Sequence, residues 1–168
     1  MPICNAIGIV RASRILQRSY KDTQMPAVYN GSDFDTRLQA TWAAFFDLAG
    51  WKWRNGVSAI EDWKPDFEVT FPCTHSECGG HHKILISVLP IDSIEGVKGH
   101  PALTYSWGVD RDGKRIGADA GAVFGESPKV TKWEMAHGAG GGTEDVTQWV
   151  DDWLPKWAKA TGKVLDEN

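Results

Sequence analysis

The stretch from Lys83 to Pro90, KILISVLP, is apolar at almost every position. A strand with one face in water alternates apolar and polar residues, whereas a strand without alternation has to be covered on both faces. The chain is therefore expected to build a sheet with material on each side and this run near its centre. The segment before it, DFEVTF at 66–71, sets Phe67, Val69 and Phe71 against Asp66, Glu68 and Thr70, as a half-buried neighbouring strand does. At 168 residues and 42% hydrophobic, the chain can bury one core of this kind but is short for two.

From Asp33 to Ala49, the residues Leu38, Trp42, Phe45 and Ala49 recur at helical spacing and Phe46 widens the stripe. This predicts a core-facing helix capped by Ser32 or Asp33 and stopped at Gly50. WKW at 51–53 reads as a short strand, GHPALTYSWG as a turn plus a strand, and DRDGKRIGADAG as a surface loop or hairpin. Gly138 to Gly142 reads as a flexible connection; before a helix it offers N–H groups to an anion, but it lacks the Gly-Lys-Ser/Thr ending of a phosphate loop. Val146, Trp149, Val150, Trp153, Leu154 and Trp157 form a second stripe, on a helix that Pro155 should kink or divide. Helix, strands, mixed segment and helix together predict a single α/β (α+β) domain over 29–168, preceded by a basic segment over 1–28.

The net charge of −4 gives no overall attraction to a polyanion, so nucleic-acid binding would need a local patch. Arg11, Arg14, Arg18 and Lys21, spaced by three or four, supply one if that segment is helical. No apolar run approaches the ~20 residues that span a bilayer, and the positive charges near the start follow the short apolar segment instead of preceding it. A cytoplasmic protein is expected. Three cysteines then read as thiols or metal ligands more readily than as a disulfide framework.

The helix segment RLQATWAAFFDLAGW, followed by a strand that opens as KPDFEV, resembles small phage and prophage proteins of the PD-(D/E)XK nuclease superfamily. The resemblance runs from about Tyr29 to Pro90. It implies a nuclease-like mixed sheet, with a metal site built from a helix glutamate, the aspartate of Pro-Asp, and a Glu-X-Lys pair on the next strand. In this chain those positions carry Gln39, Asp66, Ser87 and Leu89, so only the aspartate remains. An amide, a hydroxyl and an alkyl group cannot hold Mg²⁺ against a phosphate as carboxylates do, nor can they supply a lysine's charge. The resemblance therefore implies a degenerate core that binds DNA or a host nucleic-acid-processing complex, such as a defence complex, without cutting. Two alternatives stay open: a divergent Mg²⁺-dependent DNA endonuclease using Asp66, Glu68 and Lys83, and a zinc-stabilised structural module.

CTHSECGGHH places Cys73, His75, Cys78, His81 and His82 within one short loop. Thiolate and imidazole are the ligands that Zn²⁺ favours, and the two glycines let the loop fold back on itself. A structural Zn²⁺ is expected on Cys73 and Cys78 with His75, His81 or His82, and with His100 or His137 as a remote ligand. Nine tryptophans are many for one small domain. Trp51 and Trp53 are expected to lie partly exposed and to offer a stacking or docking surface.

Overall fold

The computed structural model describes residues 21–105, 108–109 and 115–168, with backbone alone at 108–109 and 115–116. The basic positions Arg11, Arg14 and Arg18 lie outside the described residues. The chain first doubles back at Asn30-Gly31, where φ is 49° and 73°. That residue pair suits a tight hairpin turn because both positions tolerate the left-handed conformation. β1 (Ala27–Tyr29) pairs with β2 (Ser32–Phe34) across it. Ala27 is buried and Val28 N–H donates to Asn168 Oδ1 at 2.8 Å, so a boundary between 28 and 29 runs through a strand of the fold.

With Ser32 and Asp33 taken up in β2, neither caps the helix. α1 spans Arg37–Ala49, and its cap is Thr36. Thr36 Oγ1 accepts from Gln39 N–H, while Gln39 Oε1 accepts from Thr36 N–H, both at 3.1 Å. This reciprocal pair satisfies two backbone donors at the helix start. Gly50, at φ 73°, ends the helix as expected.

β3 (Lys52–Arg54), β4 (Phe67–Pro72) and β5 (His81–Val88) form an antiparallel meander. The chain then passes through a short helix, α2 (Pro101–Thr104), and a two-stranded ribbon of β6 (Gly108–Val109) and β7 (Arg115–Ile116). It returns as β8 (Ala120–Phe124), parallel to β5, and continues antiparallel into β9 (Thr131–His137) and β10 (Gly140–Glu144). The sheet order is β10-β9-β8-β5-β4-β3. α3 (Val146–Trp149) and α4 (Trp153–Glu167) complete a mixed α+β domain.

β5 is an inner strand covered on both faces. Ile84, Ile86 and Val88 join the core beneath α1 and α4, with Trp42, Phe45, Phe46, Phe67 and Phe124. Leu85 joins a second cluster on the opposite face, with Val57, Trp63, Ala102 and Val123. This double coverage explains why 83–90 shows no alternation.

Three local expectations are corrected. Gly140-Gly141-Gly142 is part of strand β10, hydrogen-bonded along β9, so its backbone is committed to a ladder and not to an anion. The last stripe belongs to two helices. Pro155 sits in the first turn of α4, where the N–H that proline lacks would have no intrahelical acceptor, and Leu154 is exposed. Of the two tryptophans expected to be partly exposed, Trp53 is half-buried as expected, its Nε1–H donating to Asp47 at 2.8 Å, but Trp51 is buried, stacked between Phe46 and Phe71. None of the described tryptophans is exposed.

Candidate metal centre and the Asp66 pocket

The loop between β4 and β5 is closed by Cys73 N–H donating to Gly80 O at 3.0 Å. Inside it, Ser76–Cys78 forms a single 3₁₀ turn, followed by Gly79 and Gly80 at φ 68° and 87°. Two consecutive left-handed residues are accessible to glycine at little cost, and they let the chain reverse within the loop. The reversal carries Cys78 back over Cys73.

Five side chains converge here. The ligand atoms of Cys73, His75 and Cys78 lie within 4.8 Å of one another, and so do those of Cys73, His82 and His137. Cys73 belongs to both sets. His137 comes from the end of β9, so the cluster joins the β4–β5 loop to the β9–β10 hairpin. His81 takes no part: it neighbours His82 on a strand, where successive side chains point to opposite faces, and it is exposed while His82 is buried. His100 serves elsewhere, its Nδ1 accepting from Ala102 N–H at the start of α2.

The surroundings act differently on the thiols and the imidazoles. Gly138, at φ 60°, donates its N–H to Cys78 Sγ at 3.2 Å, and His75 Nδ1 lies 3.4 Å from Cys73 Sγ. Burial pushes the Cys73 thiol above its usual range, against a lowering by the His75 backbone N–H. Burial also lowers the His82 pKa and keeps that imidazole neutral, against the opposing pull of Asp119. His82 Nδ1 lies 3.3 Å from Asp119 Oδ2, but its Nε2 is buried with no hydrogen-bond partner. An orphaned buried nitrogen costs about 1–3 kcal/mol, which a bound ion removes. His137 Nδ1 lies 3.0 Å from Glu144 Oε1. One side of the cluster opens to a surface cleft of about 660 Å³, lined in part by Cys73, His75, His137 and Glu144, which gives an ion a way in.

The second site begins at Asp66, just before β4. Both of its oxygens are engaged: Gln39 Nε2 donates to Oδ1 at 2.8 Å, and Val88 N–H donates to Oδ2 at 2.7 Å. Burial raises its pKa, and these two donors oppose the rise. The carboxylate borders a polar pocket of about 210 Å³ that also takes in Asp33, Asp35, Gln39 and Lys64. Ser87 is turned to the other face of the sheet, where its Oγ accepts from the buried Trp63 Nε1–H at 2.8 Å. Leu89 packs with the same second cluster. Gln39 and Asp66 are thus joined directly, whereas Ser87 and Leu89 serve the packing behind them.

Glu68 is held in a different arrangement. Its two oxygens accept from Arg54 Nε and Nη2 at 3.0 and 2.7 Å, and Lys83 Nζ is 3.7 Å from Oε1. The Arg54 guanidinium, ahead of Lys83, holds this carboxyl below its ordinary value. Asp66, Glu68 and Lys83 therefore divide between two separate hydrogen-bond systems. Among the described residues, the two groups of three side chains with metal-binding geometry are the thiol–imidazole sets around Cys73. Family models, curated proteins and solved structures give no match to this chain. No helix among the described residues is long and apolar enough to cross a membrane.

Proposed function

We propose that this protein is a zinc-stabilised binding module on a nuclease-like core that does not cleave. Its target is DNA or a nucleic-acid-processing complex of a host cell. The observation that carries the reading is the Gln39–Asp66–Val88 arrangement. A catalytic Mg²⁺ needs free carboxylate oxygens in a cluster, and here the one aspartate the motif retains is bonded by an amide and a backbone N–H. Phosphoryl transfer draws most of its rate from charge placed around the phosphate, so losing the second acid and the lysine removes several orders of magnitude.

The metal is Zn²⁺ in this reading. Two thiolates and two imidazoles make a closed tetrahedral shell, with Zn–S of ~2.3 Å and Zn–N of ~2.0–2.1 Å. The ligand atoms lie within 4.8 Å of one another inside each set, and a shell that takes Cys78 together with His82 and His137 brings the two sets together around Cys73. Filled by four protein ligands, the ion is structural and leaves no position for substrate.

With Glu68 and Lys83 held apart from Asp66, a rival endonuclease would have to use Asp35 and Lys64, which share the pocket with Asp66, in their place. Incubation with supercoiled plasmid and Mg²⁺ or Mn²⁺ separates the two. The binding module leaves the plasmid intact and shifts duplex or single-stranded DNA, or captures a nucleic-acid-processing complex. Nicking that disappears in Asp66→Ala protein establishes the enzyme instead.

A further inference from the structure

Three imidazoles stand near the two thiols, and a tetrahedral ion takes only two of them. We propose that Asp119 and Glu144 are positioning residues that select His82 and His137, each through Nε2, as the imidazole ligands, leaving His75 outside the shell. This rests on the zinc reading above.

The assignment follows from what each ring's second nitrogen meets. A metal-bound histidine characteristically donates its other N–H to a carboxylate or carbonyl, which fixes the tautomer, aims the free nitrogen and raises its basicity. His82 and His137 both have Nδ1 beside a carboxylate, at 3.3 and 3.0 Å. His75 instead has its Nδ1 facing Cys73 Sγ at 3.4 Å and not a carboxylate, so no acid there fixes its tautomer or aims its Nε2 at an ion. His75 is also exposed, whereas His82 is buried.

Both carboxylates are themselves held. Asp119 Oδ2 also accepts from Lys83 N–H at 2.9 Å, which anchors it to β5 next to His82. Glu144 uses Oε1 for His137 and Oε2 for Trp149 Nε1–H, at 2.7 Å, which anchors it to α3. The His137 and Trp149 rings lie 4.8 Å apart, so the indole fixes both the acid and the imidazole it orients. A shell built this way ties the β4–β5 loop, β9, β10 and α3 to one ion. Two stretches far apart in sequence, 73–82 and 137–149, then depend on one occupancy.

The test compares zinc-loaded wild-type protein with Asp119→Asn, Glu144→Gln, His75→Ala and Trp149→Phe. Zinc affinity is measured by competition with a chromophoric chelator. Long-range ¹H–¹⁵N correlation reports which nitrogen of each histidine carries the proton. In wild-type protein, His82 and His137 carry the proton on Nδ1, with Nε2 shifted by metal. Asp119→Asn and Glu144→Gln keep one metal but weaken it by about 10–100-fold, and the Nδ1–H signal of the matching histidine moves. His75→Ala stays within a few-fold of wild type. Trp149→Phe releases Glu144 without removing a ligand, so its His137 Nδ1–H signal moves while that of His82 persists, a pattern that a general loss of fold stability does not produce. Asp119→Asn or Glu144→Gln protein that binds zinc as tightly as wild type, or His75→Ala protein that loses it, overturns the assignment while leaving the zinc reading intact. Wild-type protein that binds no zinc overturns both.

Discussion

Replacing Gln39 with leucine removes two bonds at once while keeping similar size and helix propensity. The first is the half of the capping box in which Gln39 Oε1 accepts from Thr36 N–H. Losing it costs roughly 1 kcal/mol, as for other caps. The second is the Gln39 amide on Asp66 Oδ1. A hydrogen bond to a charged group contributes about 1.5–3 kcal/mol, and the variant leaves a largely buried carboxylate with one donor in place of two. Together these predict a loss of about 2–4 kcal/mol at neutral pH. The loss should also depend on pH. Burial already holds the Asp66 carboxyl above its ordinary value, and the Val88 N–H and the Gln39 amide restrain the rise. Without the amide the folded-state value climbs further. A carboxyl whose folded value is raised binds its proton more tightly when folded, so the stability lost to its buried charge is lost above that value. It returns as the pH falls through it toward the unfolded value. Urea unfolding near pH 7.5 and near pH 4.5 should therefore show the variant approaching wild type on acidification, leaving only the cap's ~1 kcal/mol. A loss under about 1 kcal/mol at neutral pH, or one identical at both pH values, would refute the reasoning that the Gln39 amide holds the Asp66 carboxylate.

Ser87→Ala leaves the buried Trp63 indole N–H without an acceptor and should cost about 1–3 kcal/mol; an unchanged melting temperature would contradict the bond. Gly121→Ala places a Cβ 2.1 Å from Ala102 O, backbone against backbone, so β8 or α2 must shift. A cost of about 3 kcal/mol or more follows, and a near-wild-type thermal melt would mean that α2 does not pack on β8. Zinc removal by a strong chelator should lower the melting temperature and raise hydrogen exchange at 73–82 and 137–149 together; exchange confined to the 73–82 loop would contradict a centre that joins the two hairpins.

Much of the sheet was legible because burial writes itself into spacing. DFEVTF alternates as one half-covered strand must, and KILISVLP does not alternate because α1 and α4 cover one face and the Trp63 cluster the other. The start of α1 is legible in principle, but two competing cap candidates precede it. Thr36-Arg37-Leu38-Gln39 is a capping-box pattern, and Asn30-Gly31 is a hairpin turn, so Ser32 and Asp33 had to be strand. β10 left no local trace, since its glycines become a strand only through pairing with β9, a tertiary effect that propensity opposes. The metal cluster divides in the same way. Cys73, His75, Cys78 and His82 were near in sequence, and His81 dropped out on the strand's alternation alone. His137 was an expected remote ligand and does join the cluster, whereas nothing in the local sequence marks Asp119 and Glu144, which come from strands or their edges far from the loop.

The most direct test is zinc K-edge X-ray absorption on protein prepared without chelator, paired with elemental analysis. The account predicts about one zinc per chain, with two sulfurs at ~2.3 Å and two imidazole nitrogens at ~2.0–2.1 Å. Protein containing no zinc, or a shell of oxygen ligands without sulfur, would contradict it.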